Sequence, residues 1–179
     1  MSKIALTPNA SGSGTFTIAA PNSDTDRSLT LPDGAGTLDR LERTGNVLQV
    51  VNSVLLNDTS TTSTSYTSTG LSVTLTPSST SSKVYLTLQG GGGSIASGSS
   101  LKLTFYRDAT DIAPNHNLIS NVYSSADTHF VNHSIALLDS PSTTSAVTYT
   151  VYMKTNTGTI NFCWSDKGNP VLTAMEIAG

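Results

Sequence analysis

The chain has 179 residues and a formal net charge of −3, with 36% hydrophobic, 12% charged and 6% aromatic residues. Ordinary soluble domains carry roughly 25% charged residues, and here Ser and Thr, about 30% of the chain, must solvate the surface instead. There is no Lys/Arg cluster, so a nucleic-acid partner is not expected. No apolar run approaches 18 residues, so membrane insertion is not expected either. The opening MSKIALTPNASG lacks the apolar core of an export signal. The single Cys163 cannot form an intrachain disulfide, which suits synthesis in a reducing cytoplasm.

The first unit is read as residues 1–38. In Gly14 to Ala19, Phe16 and Ile18 share one face and Thr15 and Thr17 the other. In Arg27 to Leu31, Leu29 and Leu31 oppose Ser28 and Thr30. Pro21 to Asp26 and Pro32-Asp33-Gly34 are turn clusters. This is the pattern of a short β-hairpin unit with a thin apolar face. Such a hairpin is marginal alone in water, and a second copy of the same chain is the simplest cover for it.

Residues 39–49 are read as a linker. Leu38, Leu41, Leu48 and Val51 hint at coiled-coil spacing, but Gly45 and Asn46 interrupt it, and a linker entering a strand fits better.

Residues 50–179 read as an all-β sandwich of about eight strands, jelly-roll-like in size. A weak strand at Ser65 to Thr67 comes first, then Leu71, Val73 and Leu75 alternate with hydroxyls up to Pro77-Ser78-Ser79. Val84, Leu86 and Leu88 follow, and Gly90 to Gly93 should end that strand or let backbones approach closely. Leu101, Leu103 and Phe105 alternate with Lys102, Thr104 and Tyr106. Thr128 to Leu138 makes one strand or two. Val147, Tyr149, Val151 and Met153 form the next apolar row, then Ile160, Phe162 and Trp164, and Val171 to Ile177 closes the chain.

Gly14 to Leu38, GTFTIAAPNSDTDRSLTLPDGAGTL, resembles a segment of bacteriophage tail-fibre and other virion proteins in which a GT-x-TI-x-AP strand, a polar turn and an R-[ST]-LTLPD-x-x-GTL strand recur together. The match covers about 25 residues. A looser resemblance to a domain often found after that segment rests on Thr67 to Leu86, Phe105 to Ile112 and Leu172 to Gly179. The resemblance implies a virion structural protein with a trimeric, jelly-roll-like distal domain. The partners it implies are a homotrimer and other virion proteins bound through the N-terminal segment. Contact with a host-surface glycan or protein belongs to the same expectation. A tail fibre or appendage is the leading expectation, and a capsid decoration or cement protein, or a head or neck fibre, the alternative.

No enzymatic activity, cofactor or metal is expected. His129 and His133 sit at i, i+4, a ligand spacing on a helix, but on a strand they lie about 13 Å apart. Ordinary surface or interface histidines are the favoured reading, with a trimer-axis position as the alternative. Asp108, Asp111, Asp127, Asp139 and Asp166 fall at strand ends or turns where solvent should keep them ionised, unlike a general acid. No G-x-S-x-G elbow or P-loop occurs. Cys163 should face away from Phe162 and Trp164 as an inert thiol. Tyr106, Tyr123, Tyr149, Tyr152 and Trp164 are the aromatics that could stack on sugar, with core or interface positions the more ordinary reading.

Overall fold

The computed structural model describes residues 11–15, 17, 19, 22–26, 28, 43–113, 122–123, 129–164 and 168–179. The chain divides into two compact units, Met1–Thr37 and Leu38–Gly179. In the first, the Thr25 amide donates to Ser23 Oγ at 3.2 Å, closing part of the expected polar turn. Phe16, Ile18, Leu29 and Leu31, the apolar positions of the expected hairpin, lie outside the described residues, as do Leu38 and Leu41.

The second unit is all-β. Among its described residues the strands are β1 (Val47–Val54), β2 (Thr59–Thr61), β3 (Thr67–Leu75), β4 (Lys83–Ile95), β5 (Ser100–Arg107), β6 (Thr110–Asp111), β7 (Val122–Tyr123), β8 (His129–Asp139), β9 (Val147–Thr155), β10 (Ile160–Cys163) and β11 (Val171–Ile177). Eleven replace the expected eight or so because β2, β6 and β7 are fragments of two or three residues, too short to show a period. β1 begins at Val47, inside the expected linker, so Leu48 and Val51 belong to a strand and not to a coiled coil.

Pairing is nested. β1 pairs β11, β2 pairs β10, β3 pairs β9, β4 pairs β8 and β5 pairs β7, all antiparallel. The chain thus doubles back as one long ribbon. Rolling the ribbon up adds the contacts β11 to β4, β10 to β4 and β9 to β5. Sheet A then runs β1-β11-β4-β10-β2 with β8 on the far edge of β4, and sheet B runs β3-β9-β5-β6 with β7 also on β5. This is jelly-roll organisation.

The period of two sets the core. On β9, Val147, Tyr149, Val151 and Met153 are buried while Thr148, Thr150, Tyr152 and Lys154 face outward. Leu71, Val84, Leu86, Leu88, Leu101, Leu103, Phe105 and Leu172 meet them between the sheets. Each fully buried Leu or Phe contributes about 1.5–3 kcal/mol.

The four glycines do not end β4, which runs on to Ile95. They form a bulge: Gly90 pairs His133 and Gly93 pairs Val131, one extra residue on β4. Close approach explains the composition. A Cβ on Gly93 would lie 2.7 Å from the Asn161 carbonyl oxygen and 2.9 Å from His133 Nε2. Gly91, at φ +87°, would bring one 3.2 Å from Pro170 Cβ.

Candidate functional site

The two outward faces of the sandwich differ in chemistry, and both follow from strand register. On sheet A, Val50 lies opposite Met175, Met175 opposite Tyr85, and Tyr85 opposite Leu138. These four outward side chains make an apolar row across β1, β11, β4 and β8. Val50 is 54% exposed, Leu138 53% and Tyr85 38%. Val54, opposite Val171, lies beyond the polar Asn52–Thr173 pair, while the exposed Val47, opposite Ile177, adjoins the row. Lys83, opposite Ile177, borders it and donates to Ser140 Oγ. Burial of such a face is favourable and non-directional, so it suits assembly rather than chemistry.

On sheet B the outward face carries tyrosines and hydroxyls. Tyr106 and Tyr152, diagonal neighbours on β5 and β9, stack with centroids 3.9 Å apart at 22°. Tyr66, just before β3, meets Tyr106 edge-on at 6.5 Å. Lys154 Nζ sits 4.2 Å from the Tyr66 ring centroid, a cation–π geometry. Beneath the rings, the buried Thr104 hydroxyl donates to Asp111 Oδ1 at 2.8 Å, and the Ala113 amide donates to the same oxygen at 3.0 Å. Burial raises the phenol pKa of Tyr66, and the Asp111 carboxylate and Tyr106 raise it further. Tyr106 is raised by burial, then by Asp111 and Tyr152. Three phenols and one carboxylate therefore converge on a single patch.

The other carboxylates are engaged structurally. Asp108, at φ +52°, accepts the Thr148 amide at 3.0 Å and shapes the β5–β6 turn. Asp139 departs from expectation. It is no solvated turn residue: its side chain is 11% exposed and bridges the sheets. Arg107 Nη1 on β5 donates to its Oδ1 and Oδ2 at 3.0 and 2.8 Å, and Tyr149 Oη on β9 donates to Oδ2 at 2.7 Å. Burial first, then the bond to Asp139, hold the Tyr149 phenol far above its ordinary value. Glu176 is fully buried on β11 and accepts from Gln49 Nε2 and from the Ser78 amide and hydroxyl. Burial alone would raise its pKa, but these bonds together lower it. Asp127 and Asp166 lie outside the described residues.

His133 is neither a surface nor an interface histidine. It is 1% exposed within the protomer, stacked on Phe162 with centroids 5.5 Å apart at 19°, and packed against Gly91 and Gly93. Among the described residues neither ring nitrogen has a hydrogen-bond partner, and burial lowers its pKa to about 4. The glycine bulge makes room for this ring, which two separate alternation patterns could not reveal. The His129 side chain is not described. Among the described residues, no group of three or more His, Cys, Asp or Glu is placed to hold a metal ion.

Cys163 does not face away from the core. A register shift between Asn161 and Cys163 breaks the alternation, so Phe162 and Cys163 are both buried while Trp164 is 37% exposed. The thiol donates weakly to the Leu55 carbonyl and Asn169 Oδ1 at 3.6 and 3.8 Å. Burial, then Asp58, raises its pKa, away from the reactive thiolate form.

Of the aromatics singled out in the sequence, Tyr106 and Tyr152 come together, Tyr149 is a core residue and Trp164 stands elsewhere. Tyr66 was not among them. Its signal was the weak strand Ser65 to Thr67, whose outward direction becomes visible only once Thr67 is paired with Met153.

No family model matches the chain, and no curated protein matches it. Among solved structures it is similar to the infectious bursal disease virus Gx strain structure, with 11% identity and a TM-score of 0.36. It is also similar to the VP2 subviral particle of infectious bursal disease virus, with 15% identity and a TM-score of 0.38. Each alignment covers 73% of this chain but only 36% and 33% of those chains, so this chain spans about a third of the length of the proteins it matches.

Proposed function

We propose that this chain is a non-enzymatic structural protein of a bacteriophage virion, a short trimeric tail fibre or appendage exposed on the particle. The observation that carries this reading is the Val50–Met175–Tyr85–Leu138 row: four aligned outward apolar positions in a chain whose surface is rich in Ser and Thr. Single exposed apolar residues are ordinary, whereas a contiguous band across four strands marks an interaction surface. Copies of the same chain are the occupants assigned to it, joined by the cover that the N-terminal hairpin requires. The resemblance of Gly14 to Leu38 to phage fibre segments supplies the virion context and the docking role of that unit. The engagement of Asp108, Asp111, Asp139 and Glu176 in structural hydrogen bonds supports the non-enzymatic reading.

Sedimentation of the purified chain at micromolar concentration tests the assembly, with a trimer expected and a stable monomer counting against it. Removal of Met1 to Leu38 is expected to leave the sandwich folded and to abolish incorporation into particles. Persistent incorporation refutes the docking role. Electron microscopy of intact particles then assigns the position, and hundreds of copies spread over the capsid would replace the fibre with a decoration protein.

A further inference from the structure

The tyrosine patch on sheet B has features that sheet stability alone does not demand. Cross-strand aromatic pairs do stabilise sheets, and the Tyr106–Tyr152 stack is one. A third tyrosine, Tyr66, is brought in from outside the strand ladder, and β6 folds back so that Asp111 reaches over β5 to the same spot. The result joins aromatic ring surface to a carboxylate and phenol hydroxyls, all on the outward face.

The geometry points to a binding site for a neutral pyranose unit of a glycan, with the sugar's C–H face on the tyrosine rings and its hydroxyls on Asp111 and the phenols. A pyranose presents weakly polarised C–H bonds on one face, which suit the negative face of an aromatic ring. Around its rim it presents hydroxyls, which need acceptors and donors. Asp111 is a fixed acceptor: among the described residues its bonds, from Thr104 and Ala113, both fall on Oδ1, and a carboxylate offers acceptor positions on both oxygens. Tyrosine hydroxyls both donate and accept. Charge selects the neutral sugar. Lys154 is engaged over the Tyr66 ring, and Asp111 stands among the phenols, where it would repel an acidic sugar. Thr104, buried beneath the patch and bonded to Asp111, holds the carboxylate in place.

The site names the ligand class for the host contact expected of a virion appendage and rests on that reading. Binding is measured on the purified full chain, so its failure leaves the sedimentation and particle results standing. The probes are maltotriose, cellotriose and chitotriose as neutral glycans, with trigalacturonate as the acidic comparison, read by saturation-transfer difference NMR. Transfer to at least one neutral trisaccharide is expected, lost in Tyr106→Ala/Tyr152→Ala and retained in Trp164→Ala, an exposed aromatic outside the patch. Asp111→Asn, which keeps the shape of the patch, is expected to weaken the transfer severalfold and provides a second arm should the double variant unfold. Transfer to no neutral sugar, transfer to trigalacturonate alone, or equal transfer in wild type and Asp111→Asn overturns the proposal.

Discussion

The outward faces of sheets A and B obey the same alternation yet are furnished in opposite ways. On sheet B the positions between buried residues are Thr74, Thr148, Thr150, Tyr106, Tyr152 and Lys154, and Thr74 and Thr148 join hydroxyls across the strands at 2.8 Å. On sheet A the equivalent positions include Val50, Val54, Tyr85, Leu138, Val171 and Met175. Strand propensity cannot account for this, because Thr and Val are both good strand residues. What differs is the kind of neighbour each face would suit. Sheet B's hydroxyls can bond one another, as Thr74 and Thr148 do, and water, while sheet A's methyl groups gain nothing from water and would be stabilised by a protein surface. An apolar-banded face and a hydroxyl-rich face thus coexist inside one domain with no change in secondary structure.

Asp139 ties the two faces together, and its loss is expected to have the largest effect. Asp139→Ala leaves the Arg107 guanidinium and the buried Tyr149 hydroxyl without their shared partner. Breaking such a pair costs about 3–5 kcal/mol, with Arg107, at 26% exposure, placing this one near the lower end. Urea unfolding of the variant measures it. A loss below about 1 kcal/mol would mean that apolar packing alone holds the sheets, since that is the usual worth of a single neutral hydrogen bond.

Acid is the next largest lever, and it acts on sheet A through β8. His133 has a folded pKa of about 4 against an ordinary 6.5, so the unfolded chain binds this proton more readily than the native one. Its contribution is complete above about pH 6.5 and is lost as the pH falls toward 4. A shift of that size corresponds to about 3 kcal/mol. Glu176, whose pKa is lowered, adds a further loss only below the ordinary carboxylate range. Thermal unfolding between pH 7 and pH 4.5 should therefore show a decline that His133→Leu flattens. An unchanged pH slope in that variant would assign the acid sensitivity elsewhere.

Much of the fold was legible because alternation is local. Leu71-Val73-Leu75, Val84-Leu86-Leu88, Leu101-Leu103-Phe105 and Val147 to Met153 each announce a strand and its buried side, and all are core. The expected all-β sandwich with jelly-roll character is the structure observed. Legibility failed wherever two strands had to be combined. His133 and Gly93 are 40 residues apart in sequence, and only the β4–β8 register shows that one makes room for the other. Asp139 reads as a strand-end carboxylate until Arg107 and Tyr149 reach it from the other sheet. Cys163 was misplaced by a bulge, which breaks the very period used to assign its face. The tyrosine patch was half legible: Tyr106 and Tyr152 were named, but Tyr66 and Asp111 arrive through a loop and a two-residue strand.

The smallest effect on the protomer is the one that tests the two faces most directly. Leu138→Lys places a charge at the β8 end of sheet A's apolar row, and Thr148→Lys places the same charge on sheet B's outward face. Leu138 is 53% exposed, so neither change removes core packing, and both protomers should keep their stability within about 0.5 kcal/mol. Their effect on assembly should be opposite. If sheet A's face is covered by a second copy, burying an ammonium there without a partner is costly, because an isolated charge taken out of water loses its hydration. Thr148→Lys keeps its ammonium in water, and the stem can lie along the sheet surface. Sedimentation should therefore show Leu138→Lys shifted to monomer at concentrations where wild type and Thr148→Lys remain associated. Should both variants stay associated, the apolar row is not the contact that holds the copies together. Dissociation of Thr148→Lys alone would place the contact on sheet B, where it would compete with the glycan for the same face.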